Sequence, residues 1–206
     1  MLKKLKISSK ALTFSVFFGL LCAVFLSFSD FNADCEEIRQ NVLRLHIIAN
    51  SDSYADQELK LEIRDEILRK SGNVFEGVTS LEEATAQTKN KIDDFSDIAN
   101  RVIKENGFSY KAKAYLGKRY FETRKYEKFT LPAGVYDSLI IELGKGEGKN
   151  WWCVIFPEVC LPSASDIGLS KTVNEGSVDI AENADRYILR FKVVEIYEKI
   201  KNLFIQ

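Results

Sequence analysis

Eighteen consecutive residues without a charge, Ala11 to Phe28 (ALTFSVFFGLLCAVFLSF), follow a basic flank of Lys3, Lys4, Lys6 and Lys10. A charge in lipid is costly, so an uncharged run behind lysines is a pattern that membranes select. As a helix the run would extend about 27 Å, enough to cross a bilayer. A buried core helix is the alternative, and the basic flank, the length and the terminal position all count against it. Ser27 and Ser29 are small residues two apart, ahead of Asp30, and form an acceptable cleavage site. A cleaved signal and a retained anchor both fit. In either case the lysines hold the leader's start inside, which predicts that the remainder lies outside the cytoplasm. The expected division is 1–29 as signal peptide or signal-anchor and 30–206 as one exported domain.

Charge narrows the partners. The whole chain has 29 basic and 30 acidic side chains, a net charge of −1. Residues 1–29 hold four lysines and no acid, so the exported part has 25 bases against 30 acids, net −5. No nucleic-acid-binding stripe is expected, because such domains are usually basic. Bulk adhesion to anionic lipid or teichoic acid is disfavoured too, leaving membrane contact to the N-terminal segment.

Hydrophobic periodicity outlines the exported domain. Val42–Ile48 (VLRLHII) reads as a mostly buried strand and Ala49–Ser53 as a turn. Ser53 and Asp56 form a capping box that opens a helix to about Lys70, with Leu59, Ile63 and Ile67 on one face. Ser80 and Glu83 open a second helix to about Glu105, which Asn106-Gly107 stops. The period then changes to two. Tyr110, Ala112, Ala114 and Leu116 share one face of a strand, and Gly134–Leu143 is another, with Val135, Leu139, Ile141 and Leu143 inward. Gly144–Asn150 is a glycine-rich turn, and Trp151–Phe156 returns from it. After a polar stretch from Ser163 to Asp185, the end reads as a helix with Leu189, Val193, Ile196, Ile200 and Leu203 on one face; Tyr187–Phe191 alternates enough to be a strand instead. The fold class is therefore α+β: a small antiparallel sheet with helices packed on it, in the order β-α-α-β-β-β-α.

Chemistry is sparse in this pattern. His46, the single histidine, sits in an apolar strand with no Cys or His at metal-ligand spacing, so a hydrogen-bonded structural role is favoured over a base or a ligand. No metal or cofactor is expected. The glycines 144, 146 and 148 lie between strands, with no helix to present backbone N–H groups to a phosphate, and read as a hairpin loop. Asp52, Asp56, Glu62, Asp65 and Glu66, with Lys60 and Arg64 interleaved, read as a solvated helix face rather than a glycosidase pair. Cys153 and Cys160 flank Pro157 closely enough for a disulfide outside the cytoplasm, which leaves Cys35 odd. A Cys153–His46 nucleophile is the competing use of the same thiol. Trp151 and Trp152 must point to opposite faces of their strand, one into a core and one toward covering helices or a partner. Gly146, Gly148, Asn150, Trp151 and Trp152 are accordingly the candidate partner-binding residues.

Two long blocks carry a resemblance. Leu43–Asp52 (LRLHIIANSD), Asp56-Gln57, Leu59–Leu61 and Arg64-Asp65 form the first. The second comprises Tyr120-Phe121, Thr123-Arg124, Tyr126, Leu131–Gly134, Tyr136, Gly146, Gly148, Asn150–Val154, Phe156-Pro157 and Cys160. Together they resemble the stage II sporulation protein R family. The resemblance implies a non-enzymatic signal made in the forespore and exported into the space between two membranes. There it would activate a membrane-embedded aspartic-type protease that processes pro-sigma-E in the mother cell. It implies no catalytic residue. The alternative function is an exported hydrolase acting on cell wall or on a membrane protein.

Overall fold

The computed structural model describes residues 9–157 and 168–205, and within them the side chains of 9, 21, 24, 25, 73 and 205 lie outside the description. Helix α1 spans Ser9–Gln40 and is continuous through the expected leader boundary. Its first half is apolar all round: Leu12, Phe14, Val16, Phe17, Phe18, Leu20 and Leu26 are all exposed. Its second half turns Phe31, Cys35 and Ile38 into a core. Among the described residues no helix is long and apolar enough to cross a membrane; positions 21, 24 and 25, whose side chains are not described, fall inside the uncharged run.

The α+β class holds, but the sheet is mixed rather than antiparallel. Strand β1 (Leu43–Ile48) lies between β5 (Gly134–Leu143) and β6 (Asn150–Phe156), and β2 (Ala112–Phe121) forms the far edge, giving the order β2-β5-β1-β6. β1 runs parallel to β5 and antiparallel to β6. The expected meander is therefore split by the first strand. The reason lies in its composition: LRLHII is buried on both faces, which suits a central strand, whereas β2 carries exposed Lys113, Lys118 and Arg119 and suits an edge. A short ribbon, β3 (Arg124–Lys125) with β4 (Thr130–Leu131), forms a separate sheet between β2 and β5 in the chain.

Each face of the main sheet has its own core. Leu43, Leu45 and Ile47 of β1, with Leu139, Ile141 and Leu143 of β5 and Cys153 and Ile155 of β6, pack under α2 (Tyr54–Val74), α3 (Leu81–Asn90) and α4 (Ile92–Glu105). The predicted single helix to Glu105 is broken at Lys91, where φ is −113° and ψ 11°. Both serine N-caps form, without the return bond of a full capping box: the Ser53 hydroxyl accepts from the Asp56 amide at 3.2 Å and that of Ser80 from the Glu83 amide at 3.2 Å, while the Glu83 carboxylate accepts from the Thr79 amide. Val135 departs from expectation and is exposed near the start of β5, at the end away from Leu139, Ile141 and Leu143.

The second core joins Phe31, Cys35 and Ile38 of α1 to Phe121, Tyr136 and Val154 of the sheet, Ile180 and Ala181 of α5 (Glu175–Glu182), and Phe191 and Val194 of α6 (Ile188–Ile205). Buried Arg39 ties this layer together. It donates to the Ala133 carbonyl at 2.9 Å and to Glu36 at 2.8 Å, and lies 3.7 Å from the buried Glu198 of α6. Residues 187–191 are thus not a strand. Moreover, the apolar face read from the sequence is the outer one: Leu189, Val193, Ile196, Ile200 and Leu203 are exposed, and α6 packs through Phe191, Val194 and Glu198 instead.

The glycine-rich turn is clamped to the turn after β1. The Gly148 amide donates to the Ala49 carbonyl at 2.9 Å, the Lys145 amide to the Asn50 side chain at 3.0 Å and the Lys149 amide to Asp52 at 2.7 Å. Lys60 of α2 donates to the Lys149 carbonyl at 3.0 Å. Asp56 is buried rather than solvated and accepts from Asn50 at 3.0 Å and from Ser51 and Tyr110 at 2.5 Å each. A Cβ on Gly148 would meet the Ser51 carbonyl oxygen at 2.2 Å, so only glycine lets the two turns touch. Gly148→Ala should therefore lower stability by about 1–3 kcal/mol, read as a reduced urea midpoint at unchanged slope; an unchanged midpoint would show that the clamp relaxes freely.

Candidate partner-binding site

The tandem tryptophans separate as strand geometry requires. Trp151, level with Ile47, packs on the α2 side, where the Arg64 guanidinium carbon lies 4.4 Å from its ring centroid. Its indole N–H is buried without a hydrogen-bond partner. Trp152, level with His46, is on the other face. Its ring stacks on the imidazole at 3.9 Å with 14° between planes, and the Phe121 ring meets it edge-on at 4.7 Å.

That face is only half covered. The α1, α5 and α6 layer seals the end containing Phe121, Tyr136 and Val154. Toward the other end Trp152, Tyr115 and Gly117 are half-buried and Arg119 is exposed. Alternation along β1 places Arg44 and His46 on this face, opposite Leu43, Leu45 and Ile47. Arg44 is fully buried, at 0% exposure. Its Nη2 donates to the Tyr126 hydroxyl at 2.5 Å, while Nε and Nη1 have no hydrogen-bond partner. Its guanidinium carbon sits 3.9 Å from the Phe121 centroid and 5.0 Å from that of Tyr136. Aromatic faces offset part of the cost of burying this cation. Burial pushes its pKa down, and the titratable groups acting on it are the neutral phenols of Tyr126 and Tyr136 and the like charge of Arg124, with no carboxylate among them.

His46 shares this cationic setting. Burial lowers its pKa from 6.5 to about 4, with Arg119 and Arg44 adding to the effect and the Asn150 side chain opposing it. Neither ring nitrogen has a well-formed hydrogen bond, although Asn150 lies alongside. The expected hydrogen-bonded structural histidine is therefore a stacked, neutral one without fixed polar partners.

The predicted residues consequently divide. Asn150 and Trp152 gather with His46 on the half-open face. Trp151 lies across the sheet, and Gly146 and Gly148 belong to the loop held against the chain's own 49–52 turn. Gly148 lies close to another stretch of backbone, and that stretch is the chain's own Ser51. Arg44 and Arg119 escaped the sequence reading; the signal for Arg44 was a cation at an alternating position of a strand otherwise buried on both faces. A Cys153–His46 dyad is ruled out by topology. Cys153 pairs with Leu45 and joins the α2-side core, whereas His46 faces the opposite side. Cys35 and Cys22 are free, and burial pushes the Cys35 thiol up to about 12, well away from reactive thiolate. Cys160 lies outside the described residues. Among the described residues no group of His, Cys, Asp and Glu is placed to hold a metal ion.

Residues 39–166 match the family model described as Stage II sporulation protein R. A relative named Stage II sporulation protein R, from Bacillus subtilis (strain 168), is 37% identical over 123 residues, which are 60% of this chain and 55% of that one. The match thus spans little more than half of the relative's length. No solved structure matches.

The stacked histidine makes stability depend on pH. Its folded pKa is depressed, so between 6.5 and about 4 the unfolded chain binds the extra proton. Stability is full above 6.5 and should fall as pH drops toward 4, by up to about 3 kcal/mol. Urea unfolding at a series of pH values, compared with His46→Gln, isolates this contribution from carboxylates such as Asp34, whose raised pKa works in the opposite direction. Parallel profiles for the two proteins would contradict it.

Proposed function

Since the chain belongs to the stage II sporulation protein R family, we propose that it is an exported sporulation signal. In this reading it activates a membrane-embedded aspartic-type protease, which then processes pro-sigma-E. The observation that carries the reading is the family match over residues 39–166, which includes β1 and runs through β6, the strands that build both faces of the sheet.

Two further features support export. The first half of α1 exposes aromatic and aliphatic side chains around its whole circumference, a surface suited to lipid or a translocation channel rather than to water. The same helix enters the second core from Phe28 onward, so a retained α1 would hold the domain close to the membrane it left. Activation needs no bond-making by this chain. A ligand that binds the active form of a receptor better than the inactive form shifts the population, and a nearly complete switch requires about 5.5 kcal/mol of differential affinity.

Within this reading Cys153 and Cys160 form a disulfide next to Pro157. Mass spectrometry of the non-reduced, alkylated protein should find neither thiol modified; alkylation of both would remove the bridge. The function itself is tested in sporulating cells. Deleting the chain should leave pro-sigma-E unprocessed, and restoring it with a leader that keeps it in the forespore cytoplasm should not rescue. Normal processing in either strain would refute the proposal.

A further inference from the structure

A fully buried guanidinium with two unpartnered nitrogens and an exposed second guanidinium flank, on one face of the sheet, a neutral imidazole with two unfilled nitrogens. We propose that Arg44, His46 and Arg119 form a binding site for a carboxylate presented by an acidic peptide, and that this is how the domain engages its receptor. The second clause rests on the signalling reading above; the first does not.

Every element around the site contributes to the case. β1 supplies Arg44 and His46. β2 supplies Arg119, which leans along its own strand, Nη2 donating to the Tyr115 hydroxyl at 3.2 Å. Gly117, between them, has no side chain, and the Ile140 methyl lies 3.2 Å from where a Cβ would stand. β6 supplies Trp152 and Asn150, and the β3–β4 region supplies Tyr126 and Arg124, the latter a further positive charge acting on Arg44. Glu142 of β5 is an acid on this face and accepts from the Tyr115 hydroxyl at 3.4 Å. It is not among the groups acting on His46 or Arg44. Among the described residues neither guanidinium forms an ion pair, in a domain whose net charge is −5, by 25 bases against 30 acids beyond residue 29. A buried cation is stabilised far more by a paired anion than by aromatic faces alone.

The donors favour carboxylate. Guanidinium forks match the planar, two-oxygen geometry of a carboxylate, and flat rings at Phe121 and Trp152 wall the space. Phosphate sites are more often built from convergent backbone N–H groups at a helix start, and none of the residues gathered here lies at one. An acidic side chain entering beside Arg119 would complete the pairing of Arg44 and would favour protonation of His46. The ligand and the histidine charge together.

The single histidine makes the test direct. The full chain, labelled at histidine and held in detergent micelles, is titrated with triglutamate and followed by NMR of the imidazole. Triglutamine and inorganic phosphate are added in parallel. Triglutamate should shift the ring signals saturably and raise the His46 titration midpoint by about one pH unit, a tenfold change in proton affinity. Triglutamine should do neither, phosphate should act more weakly, and Arg119→Gln, at an exposed position, should abolish the response while leaving the thermal melt unchanged. An equal response to triglutamine, an unaltered response in Arg119→Gln, no response at all, or a response to phosphate alone would each overturn the carboxylate site. Full pro-sigma-E processing by Arg119→Gln, with binding lost, would overturn its use as the receptor contact while leaving the signalling function standing.

Discussion

The insertion of β1 between β5 and β6 governs the rest of the molecule. With partners on both edges, this strand places its backbone N–H and C=O groups in ladders on either side and sends its side chains alternately into two cores. Leu43, Leu45 and Ile47 anchor the layer of α2, α3 and α4. Arg44 and His46, at the alternate positions, stand between the sheet and the α1, α5 and α6 layer. A strand at the sheet edge could have sent its arginine to water. A central strand cannot, and so it carries a cation into the interior.

The two ends of β1 have different tasks. At the end that follows Ile48, the 49–52 turn and the glycine-rich turn are bonded to one another through amides and to Asp56, which also receives the Tyr110 hydroxyl. This interlock fixes the register of β6 against β1 and with it the stacking of Trp152 on His46. Small residues and short polar side chains serve there as structural joints. The half-open face next to them holds unpartnered polar atoms in quantity, and unsatisfied buried groups in native proteins call for an explanation. A receptor that completes them would gain differential affinity from groups already desolvated.

Much of this was legible in the sequence. The strand limits of β5 appear in the alternation of Gly134–Leu143, and the helix starts appear in Ser53 and Ser80, because these depend on local physics. The insertion of β1 was not legible: hydrophobic alternation states which residues face a core but not which strand is a neighbour. The outer face of α6 misled for a related reason. Leu189, Val193, Ile196, Ile200 and Leu203 have the right spacing for burial, yet Phe191, Val194 and Glu198 meet the core, and Glu198 could be recognised as inward only by knowing that Arg39 lies beneath it. The strongest motif to the eye, three glycines before two tryptophans, divides between the clamp at Gly148 and the stack of Trp152 on His46. The pair of Arg44 and His46, hidden in an apolar strand, lies buried on the half-covered face.

The central claim is that the signal is delivered from the half-open face of the sheet rather than from the glycine-rich turn. Site-directed photo-crosslinking in sporulating cells tests it most directly, with the crosslinking amino acid placed either at Tyr115, on that face, or at Glu147, in the turn. The account predicts a covalent adduct between the Tyr115 variant and the membrane-embedded protease, and none from Glu147. An adduct from Glu147 alone would contradict it.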